Sequence, residues 1–453
     1  MTRTPSRLSR RPNGTPRAAL FVSIPAIGHL NPLLKQGAEL RRRGWRVAVA
    51  STEEMRAYME GFTDLRFVNL GPSPRGAMSN TELQERASAN LSFVAGTLHI
   101  MRSVNALWPT MFDGLIGELR RDRPDVMVVD LFASAGMDAA EVARVPYVVN
   151  NADVLTALSV DLLPAAPDVP VLFSGRSIRT ITRVDRMLNA PLRRLGSILF
   201  DLTLGAQLNR LRRTRGLPPR RMTRRLAGVL VMIDSAFGLE YNRALPPLLQ
   251  MVGPMLDDTA DVELPSELGE WLNAGRPVVF VNLGTLARPR PALAEEIARA
   301  LAGSEFRALW VTRDQAVSAA PNVRVEPWVA SQLGVLAHPN VKVFVSHCGV
   351  NSVHESLAAG TPIVGIPMLA DQRDMAMRVQ DAGVGKALEK DGLTAQTLRG
   401  AILAVLHEPA YARLIAPIQS SFELAGGVRR AADLVEHAAV FGVEHYGVGW
   451  RAG

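Results

Sequence analysis

Cysteine is nearly absent from this chain of 453 residues. The single Cys348 excludes an internal disulfide and is typical of a protein of the reducing cytoplasm. No apolar run reaches the roughly 18 residues of a membrane-spanning helix, so none is expected. Residues 1–17 are basic and polar and lack the apolar segment of a signal peptide. They predict a disordered tail.

Motifs of three common chemistries are missing as well. The first loop between a strand and a helix lacks G-x-G-x-x-G, and G-x-x-x-x-G-K-[ST] occurs nowhere. Dinucleotide-dependent redox chemistry and P-loop phosphate hydrolysis therefore lose support. No apolar-flanked D-x-D, H-E-x-x-H or paired cysteine cluster is present to anchor a metal ion. The sequence predicts chemistry that needs neither a bound metal nor a cofactor.

Positive charge is in excess and unevenly spread. The formal net charge is +8, and residues 176–225 hold many arginines interleaved with apolar residues. One interpretation is a set of solvated helix faces. The other is a basic, amphipathic surface that touches an anionic membrane or an acidic small molecule. Nucleic acid is disfavoured because this segment has almost no aromatic residues to stack on bases.

The pattern of strands and helices predicts an α/β protein with two doubly wound parallel sheets. With 47% hydrophobic residues the chain can build two large cores. Apolar runs predict strands near 18–24, 45–51, 125–130, 146–150, 228–233, 278–283, 306–312, 341–346 and 362–366. The predicted divisions are a tail (1–17), an N-terminal domain (18–245), a linker (246–263), a C-terminal domain (264–430) and a segment returning to the first domain (431–453).

The richest stretch is residues 341–372, a strand-helix-strand unit. The helix expected from Val350 to Ala359 starts beside the carboxyl end of a buried strand, where its free N–H groups favour an anion such as phosphate. Glu355 lies deeper and could bind ribose hydroxyls. Polar side chains gather here, at His347, Asn351, Ser352, Glu355, Asp371 and Gln372. Ser352 and Glu355 also fit a capping box, a structural alternative that stays open.

The N-terminal half supplies a second group of polar residues. His29 follows a buried strand at the start of a helix, and an imidazole with an ordinary pKa of about 6.5 can remove a proton from a hydroxyl. The imidazolium needs an acidic partner. Asp130 ends another buried strand and should share the rim of the sheet with His29. Asp125 should face the far rim, and Asp138 lies in the following helix.

These motifs are similar to those of nucleotide-sugar-dependent glycosyltransferases, including plant UDP-glycosyltransferases and bacterial macrolide and natural-product enzymes. The run from Ile24 to Pro32 resembles the loop with the family's catalytic base, and the run from Trp328 to Gln372 resembles its donor signature. The resemblance implies a catalytic pair of His29 and Asp130. It implies donor contacts from Thr285, Trp328, Gln332, His347, Gly349, Asn351, Ser352, Glu355, Asp371 and Gln372.

The resemblance also implies a GT-B fold, with two Rossmann-like domains facing across a cleft, and direct displacement with inversion. The co-substrate would be a UDP-sugar, and the terminal Gln372 resembles that of glucose users. Trp328 and Gln332 are separated by one residue more than usual, and Val350 stands where plant enzymes carry Trp. Both departures leave a TDP-sugar open.

The acceptor is expected to be a hydrophobic small molecule, such as a macrolide, polyketide, phenol, terpenoid or lipid. Residues 71–110 and 153–225 should build its pocket, with candidates Ile27, Met78, Phe93, Met101 and Leu155. A TDP-deoxysugar-dependent enzyme and a catalytically silent nucleotide-sugar-binding protein are the alternatives. We expect a cytoplasmic monomer or dimer, with peripheral contact at the inner membrane face through residues 176–225 left open.

Chelation tests the predicted independence of metal. We expect sugar transfer to be unchanged in EDTA, because the sequence offers no metal-binding motif to assist the leaving diphosphate. The measurement is the initial rate with and without chelator. A loss of turnover that magnesium or manganese restores would contradict it.

Overall fold

The computed structural model describes residues 6–75, 77, 93–158, 162–164, 166–256, 264–284, 289–303, 305–313, 320–369 and 371–442. Two parallel sheets organise the chain, as predicted. Their strands are β1 (Ala18–Val22), β2 (Arg46–Ser51), β3 (Arg66–Asn69), β4 (Val126–Asp130), β5 (Tyr147–Asn151), β6 (Val231–Ile233), β7 (Leu249–Met251), β8 (Val278–Asn282), β9 (Arg307–Val311), β10 (Val323–Glu326), β11 (Val341–Ser346), β12 (Ile363–Gly365) and β13 (Gly385–Ala387).

Both sheets have the strand order of doubly wound domains. The first runs β3-β2-β1-β4-β5-β6-β7 and the second β10-β9-β8-β11-β12-β13, with every neighbouring pair parallel. The central strands β1 and β4 are buried along their whole length, which explains their unbroken apolar sequences. In each sheet the strand order reverses beside the first strand, and ligands bind at such points.

Helices cover both faces of each sheet. They are α1 (Ile27–Arg42), α2 (Arg56–Met59), α3 (Phe93–Ala106), α4 (Trp108–Arg121), α5 (Ser134–Ala143), α6 (Arg183–Phe200), α7 (Ala206–Arg213), α8 (Ser266–Asn273), α9 (Pro291–Leu301), α10 (Gln332–Leu336), α11 (Val350–Ala358), α12 (Gln372–Ala382), α13 (Ala395–His407), α14 (Ala410–Arg413), α15 (Ala416–Ala425) and α16 (Gly427–Phe441). A π-helical turn, Asp201–Gly205, joins α6 to α7. Short 3-10 turns lie at Arg7–Ser9, Glu53–Met55, Leu155–Ala157, Ile178–Thr180 and Met222–Arg224.

The sequence patterns do not predict four of the strands, and the reason is the same for each. β3, β7, β10 and β13 have only three or four residues each and flank or end a sheet. β7 lies inside the segment predicted as a linker, yet it pairs with β6 through Val231 and Leu249. The linker prediction is therefore wrong for 249–251. The surrounding prolines are typical of a loop, and three residues are too few to show a period.

The described part of the basic N-terminal segment, residues 6–17, packs against the first sheet, contrary to the predicted tail. Arg10 and Pro16 form an antiparallel bridge, and Arg11 makes an ion pair of 2.9 Å with Asp125. Asp125 also accepts a hydrogen bond of 2.7 Å from the backbone of Ala18. The arginines that suggested a solvated tail are thus used to hold the segment against the sheet.

The last helix, α16, packs on the N-terminal sheet. Its apolar residues, among them Ala431, Leu434 and Val435, share a core with Leu30 and Trp45. Glu436 accepts hydrogen bonds from the Trp45 indole and from Arg43, both at 2.9 Å. The chain therefore crosses back to the first sheet after completing the second.

The two sheets are joined by a buried ion pair. Arg378 on α12 contacts Glu240, which follows β6, at 2.8 Å. Glu240 also accepts from the backbone N–H of Leu155, and Arg378 donates to Thr156 at 3.2 Å. The guanidinium stacks over the Tyr241 ring, 4.6 Å from its centroid. This cluster is one of the contacts that hold the two domains together.

The length and apolarity of a helix decide whether it could span a membrane. Within the described ranges no single helix is long and apolar enough to cross a bilayer, and one bent pair, Ala395–His407 with Ala410–Phe441, meets that test by length and composition only.

Removing one partner of the buried pair should be costly. We expect Arg378→Met to lower the free energy of unfolding by about 3–5 kcal/mol, because the Glu240 carboxylate stays buried without a countercharge. Urea denaturation followed by tryptophan fluorescence measures this. Adding Glu240→Gln, which keeps an acceptor for the Leu155 N–H, should restore most of the loss. Equal stability of Arg378→Met and the native protein would contradict the prediction.

Candidate active site

A large cleft lies between the carboxyl ends of the two sheets. Its volume is about 1560 Å³, and both domains line it. Of the candidates from the sequence, these line the cleft: Ile27, His29, Met101, Trp328, Gln332, His347, Gly349, Asn351, Ser352, Glu355, Asp371 and Gln372. The structure thus brings the two predicted groups together in one cavity. Thr285 and Met78 lie outside the described residues.

His29 and Asp130 form a hydrogen-bonded pair at the N-terminal wall. His29 Nδ1 is 2.9 Å from Asp130 Oδ1, and the edge of the Phe132 ring packs on the imidazole, 5.2 Å between centroids. Asp130 is buried, and its other oxygen accepts from the backbone N–H of Phe132 at 3.2 Å. The His29 side chain is 20% exposed, toward the cleft. Because Nδ1 is hydrogen-bonded to Asp130, Nε2 is the ring nitrogen that remains available to a ligand.

Two opposing effects act on the pKa of His29. Burial alone would lower its pKa, but the Asp130 carboxylate, helped by the more distant Asp153 and Asp234, raises the pKa above the usual value. A raised pKa makes the imidazole a stronger base and makes it protonate at a higher pH. The pair therefore suits proton abstraction near neutral pH.

The other two acids considered as partners of His29, Asp125 and Asp138, are bonded to other residues. Asp125 sits at the far rim with Arg11 and Arg17. Asp138 is buried in α5, where it accepts from the Trp108 indole at 2.8 Å and pairs with Arg212. Neither contacts His29. A further acid, Asp234, was not predicted; it is buried, accepts a hydrogen bond from Asn150 at 2.7 Å and interacts electrostatically with His29.

The opposite wall holds the N-terminus of α11. Gly349 is the N-cap and no side chain caps the helix, so its first N–H groups stay available for a ligand. The alternative of a capping box is not found. Ser352 lies inside the first turn and its hydroxyl accepts from Gln332 Nε2 at 3.1 Å. His347 precedes the helix instead of lying on its face.

Two glycines make room for the imidazole of His347. A Cβ on Gly349 would come within 2.5 Å of His347 Nε2, and a Cβ on Gly284 within 2.7 Å. Gly284 also has a φ of +83°, which other residues rarely adopt. Burial lowers the pKa of His347 to about 4. This side chain is therefore neutral at pH 7, with one ring nitrogen that can donate a hydrogen bond and one that can only accept.

Gln332 is the centre of a polar network next to α11. Its amide donates to Glu355 at 2.7 Å and its carbonyl accepts from Asn282 at 2.8 Å. Asn282, at the end of β8, was missed, although a polar residue ending a buried strand is a usable signal. Trp328 also lines the cleft and is 63% exposed.

Gln372 and Asp371 are placed at the start of α12. The Gln372 carbonyl accepts from the N–H groups of Met368 and Leu369, at 2.9 and 3.0 Å, so only its amide can serve a ligand. Burial and the neighbouring Asp153 raise the pKa of Asp371 well above its usual range. Asp153, from the other domain, also lines the cleft and was not predicted.

One hydrogen bond crosses the cleft directly. Asn351 at the start of α11 donates to the carbonyl of Gly28, next to His29, at 2.7 Å. The two walls are therefore within reach of one small ligand, and the N-terminus of α11 lies opposite the loop that carries His29.

The acceptor candidates separate into two groups. Ile27 and Met101 line the cleft, together with Leu98 and Phe173. Leu155 does not; it is buried and its backbone binds Glu240, so that prediction is wrong. Phe93 lies at the start of α3, and its side chain is outside the described part of the structure.

No metal cluster accompanies these groups. Among the described residues no three His, Cys, Asp or Glu side chains are grouped to hold a metal ion.

Comparison with known proteins agrees with this architecture. The sequence profile of the family described as UDP-glucoronosyl and UDP-glucosyl transferase matches residues 106–421. The NDP-glycosyltransferase YjiC of Bacillus licheniformis is 27% identical over 442 residues, which cover 93% of this chain and 98% of that protein.

Solved structures share the fold. The glycotransferase of kitacinnamycin superposes with a TM-score of 0.70 at 22% identity, over 93% of this chain and 99% of the other. Glycosyltransferase VinC, in complex with DTDP, gives 0.63 at 17% identity, over 93% and 99%. Two doubly wound domains that face across a cleft define the GT-B class of glycosyltransferases. The chain belongs to the UDP-glucoronosyl and UDP-glucosyl transferase family, and it is a glycosyltransferase.

The pH profile of sugar transfer should reveal the His29–Asp130 pair. A base must be neutral to act, so activity is lost as pH falls through the raised pKa of His29. Asp130→Asn removes the charge that raises this pKa. We expect kcat/KM to drop by about 10²–10⁴-fold and its acidic limb to move to lower pH. Asp125→Asn, the same change at the far rim, is the matched control, and an unmoved limb in Asp130→Asn would refute the pairing.

Proposed function

We propose that this protein transfers a sugar, most directly glucose, from a UDP-sugar to a hydroxyl of a hydrophobic small molecule, with inversion at the anomeric carbon. The observation that carries the proposal is the position of the His29–Asp130 pair opposite the uncapped end of α11 in one cleft. A base for the acceptor and an anion site for the leaving group face each other.

The acceptor half of the reaction belongs to His29. Its Nε2 takes the hydroxyl proton while the acceptor oxygen forms a bond to the anomeric carbon. Asp130, held on Nδ1, stabilises the imidazolium that results and keeps the ring oriented. The bond from the anomeric carbon to the diphosphate breaks at the same time, and its electron pair leaves on the diphosphate. Attack from the opposite face inverts the configuration.

The donor half belongs to the C-terminal wall. The diphosphate would sit at the first N–H groups of α11, whose dipole favours negative charge, with neutral His347 as a further donor. Trp328 would stack on the base, and Glu355, fixed by Gln332, would accept from ribose hydroxyls. This arrangement stabilises charge as it develops on the leaving group. It requires no metal ion.

The two residues expected to contact the sugar, Asp371 and Gln372, favour glucose as the sugar that is transferred. Gln372 offers only its N–H groups, and Asp371, whose pKa is raised, can donate or accept. A fully hydroxylated hexose satisfies both side chains, whereas a deoxysugar leaves polar groups unpaired in a buried site. A TDP-deoxysugar donor is the second candidate, because VinC, which shares the fold, is in complex with DTDP.

The acceptor side of the cleft is mostly apolar. Ile27, Met101, Leu98, Phe132 and Phe173 line it. Such walls suit a flat or lipophilic molecule that presents one hydroxyl to His29. A macrolide, polyketide, phenol, terpenoid or lipid meets this description.

The decisive experiment combines UDP-glucose with a panel of lipophilic alcohols. We expect released UDP and a glycosylated product by mass spectrometry. In His29→Ala, kcat should fall by about 10²–10⁴-fold because the base is lost, while UDP binding measured by calorimetry stays unchanged. His407→Ala, an exposed histidine at the end of α13, is the control.

Three results would count against the proposal. Undiminished turnover in His29→Ala would remove the base. Binding of UDP-glucose without turnover on any acceptor would indicate a silent binding protein. Product formed only from TDP-deoxysugars would favour the second candidate.

A further inference from the structure

Helix α6 is attached to the protein in an unusual way. Asn189 is buried and its amide donates to the carbonyls of Pro167 and Val169, at 2.6 and 3.2 Å. Arg193, one turn on, donates to the carbonyl of Pro170 at 3.2 Å. Phe200 adds one partly buried apolar contact at the end of the helix. The helix is therefore held mainly through polar side chains.

The opposite face of α6 is apolar and open to solvent. Eight of the fourteen exposed large apolar side chains in the described residues belong to it or to the turn after it. They recur at spacings of three and four, which places them on one face: Val184, Met187, Leu188, Leu192, Leu195, Ile198, Leu199 and Leu202. Met187 is 78% exposed. We call this set the outer face. Helices of globular proteins normally turn such a face inward.

The charged side chains next to the outer face that lack an acidic partner are positive. Many arginines of 176–225 are neutralised locally, for example Arg215 by Asp113 and Arg220 by Glu141. Arg183 and Arg194, on α6 itself, are exposed and have no acidic or hydrogen-bonding partner within the described chain. The acid of this helix, Asp185, is used in its capping box and by Arg176.

We propose that the outer face of α6 is a docking surface for an anionic lipid bilayer. A helix with a broad apolar face, bordered by arginines, lies in the interface with its apolar side chains among the acyl chains and its cations at the headgroups. Charge complementarity favours this occupant over a second copy of the chain. A symmetric contact would bring the free arginines of both copies together.

The same helix reaches the cleft. Leu192, Ile198 and Leu202 of the outer face also belong to the cleft wall, whereas Met187, Leu195 and Leu199 do not. A bilayer on the outer face would therefore lie beside the apolar half of the cavity. The binding surface does not depend on which sugar or acceptor the enzyme uses.

Sedimentation with vesicles tests the proposal. The native protein should bind vesicles of phosphatidylglycerol and phosphatidylcholine, bind pure phosphatidylcholine much less, and lose binding as salt is raised. The variant with Met187→Gln, Leu195→Gln and Leu199→Gln should bind at least about tenfold more weakly, because it removes three exposed apolar side chains from the outer face and changes no residue of the cleft wall. The matched control carries Val142→Gln, Leu414→Gln and Leu424→Gln, three exposed apolar residues elsewhere.

UDP binding by calorimetry shows that both triple variants are folded. The proposal is supported if the outer-face variant alone loses binding to anionic vesicles. It is overturned if the native protein ignores anionic vesicles, or if the two triple variants bind them equally. It is also overturned if light scattering shows a native dimer that the outer-face variant breaks, because the face would then serve self-association.

Discussion

The active cleft depends on the buried contact between Arg378 and Glu240. Two charges inside a protein are tolerated only when every polar atom around them is satisfied, and here Leu155, Thr156 and the Tyr241 ring complete the set. Because such a network is satisfied only when its partners are close together, it favours the arrangement in which the two domains meet. The strand ends of both sheets then face the same space, and both halves of the candidate site line one cleft.

Two histidines in this space are adjusted in opposite directions. His29 keeps a carboxylate neighbour, so its pKa is raised despite burial, whereas His347 lies against glycines without an acid and its pKa falls to about 4. The imidazole of His29 therefore holds a proton more readily than an ordinary histidine. His347 stays neutral, so one of its ring nitrogens can donate a hydrogen bond and the other can only accept one. The difference arises from their surroundings, since the side chains are identical.

Much of the fold and of the candidate site could be read from the sequence. The buried strands of both sheets are unbroken apolar runs, and polar residues at their ends, such as His29, Asp130 and His347, mark the rim. The misses share one cause. Leu155 looks like a pocket residue and Arg11 like part of a free tail, but their partners, Glu240 and Asp125, are far away in the chain. A pattern of neighbouring residues in the sequence does not reveal contacts between segments that are far apart in the chain.

Sequence alone determined the class of the fold, the chemistry of the side chains and the family, because these depend on local periodicity and short motifs. Tertiary structure decided which of three acids meets His29, that Ser352 does not cap its helix, and that the apolar face of α6 points outward. The reason is physical. Periodicity shows that a helix has an apolar face, but only the packing of distant segments decides whether that face is covered.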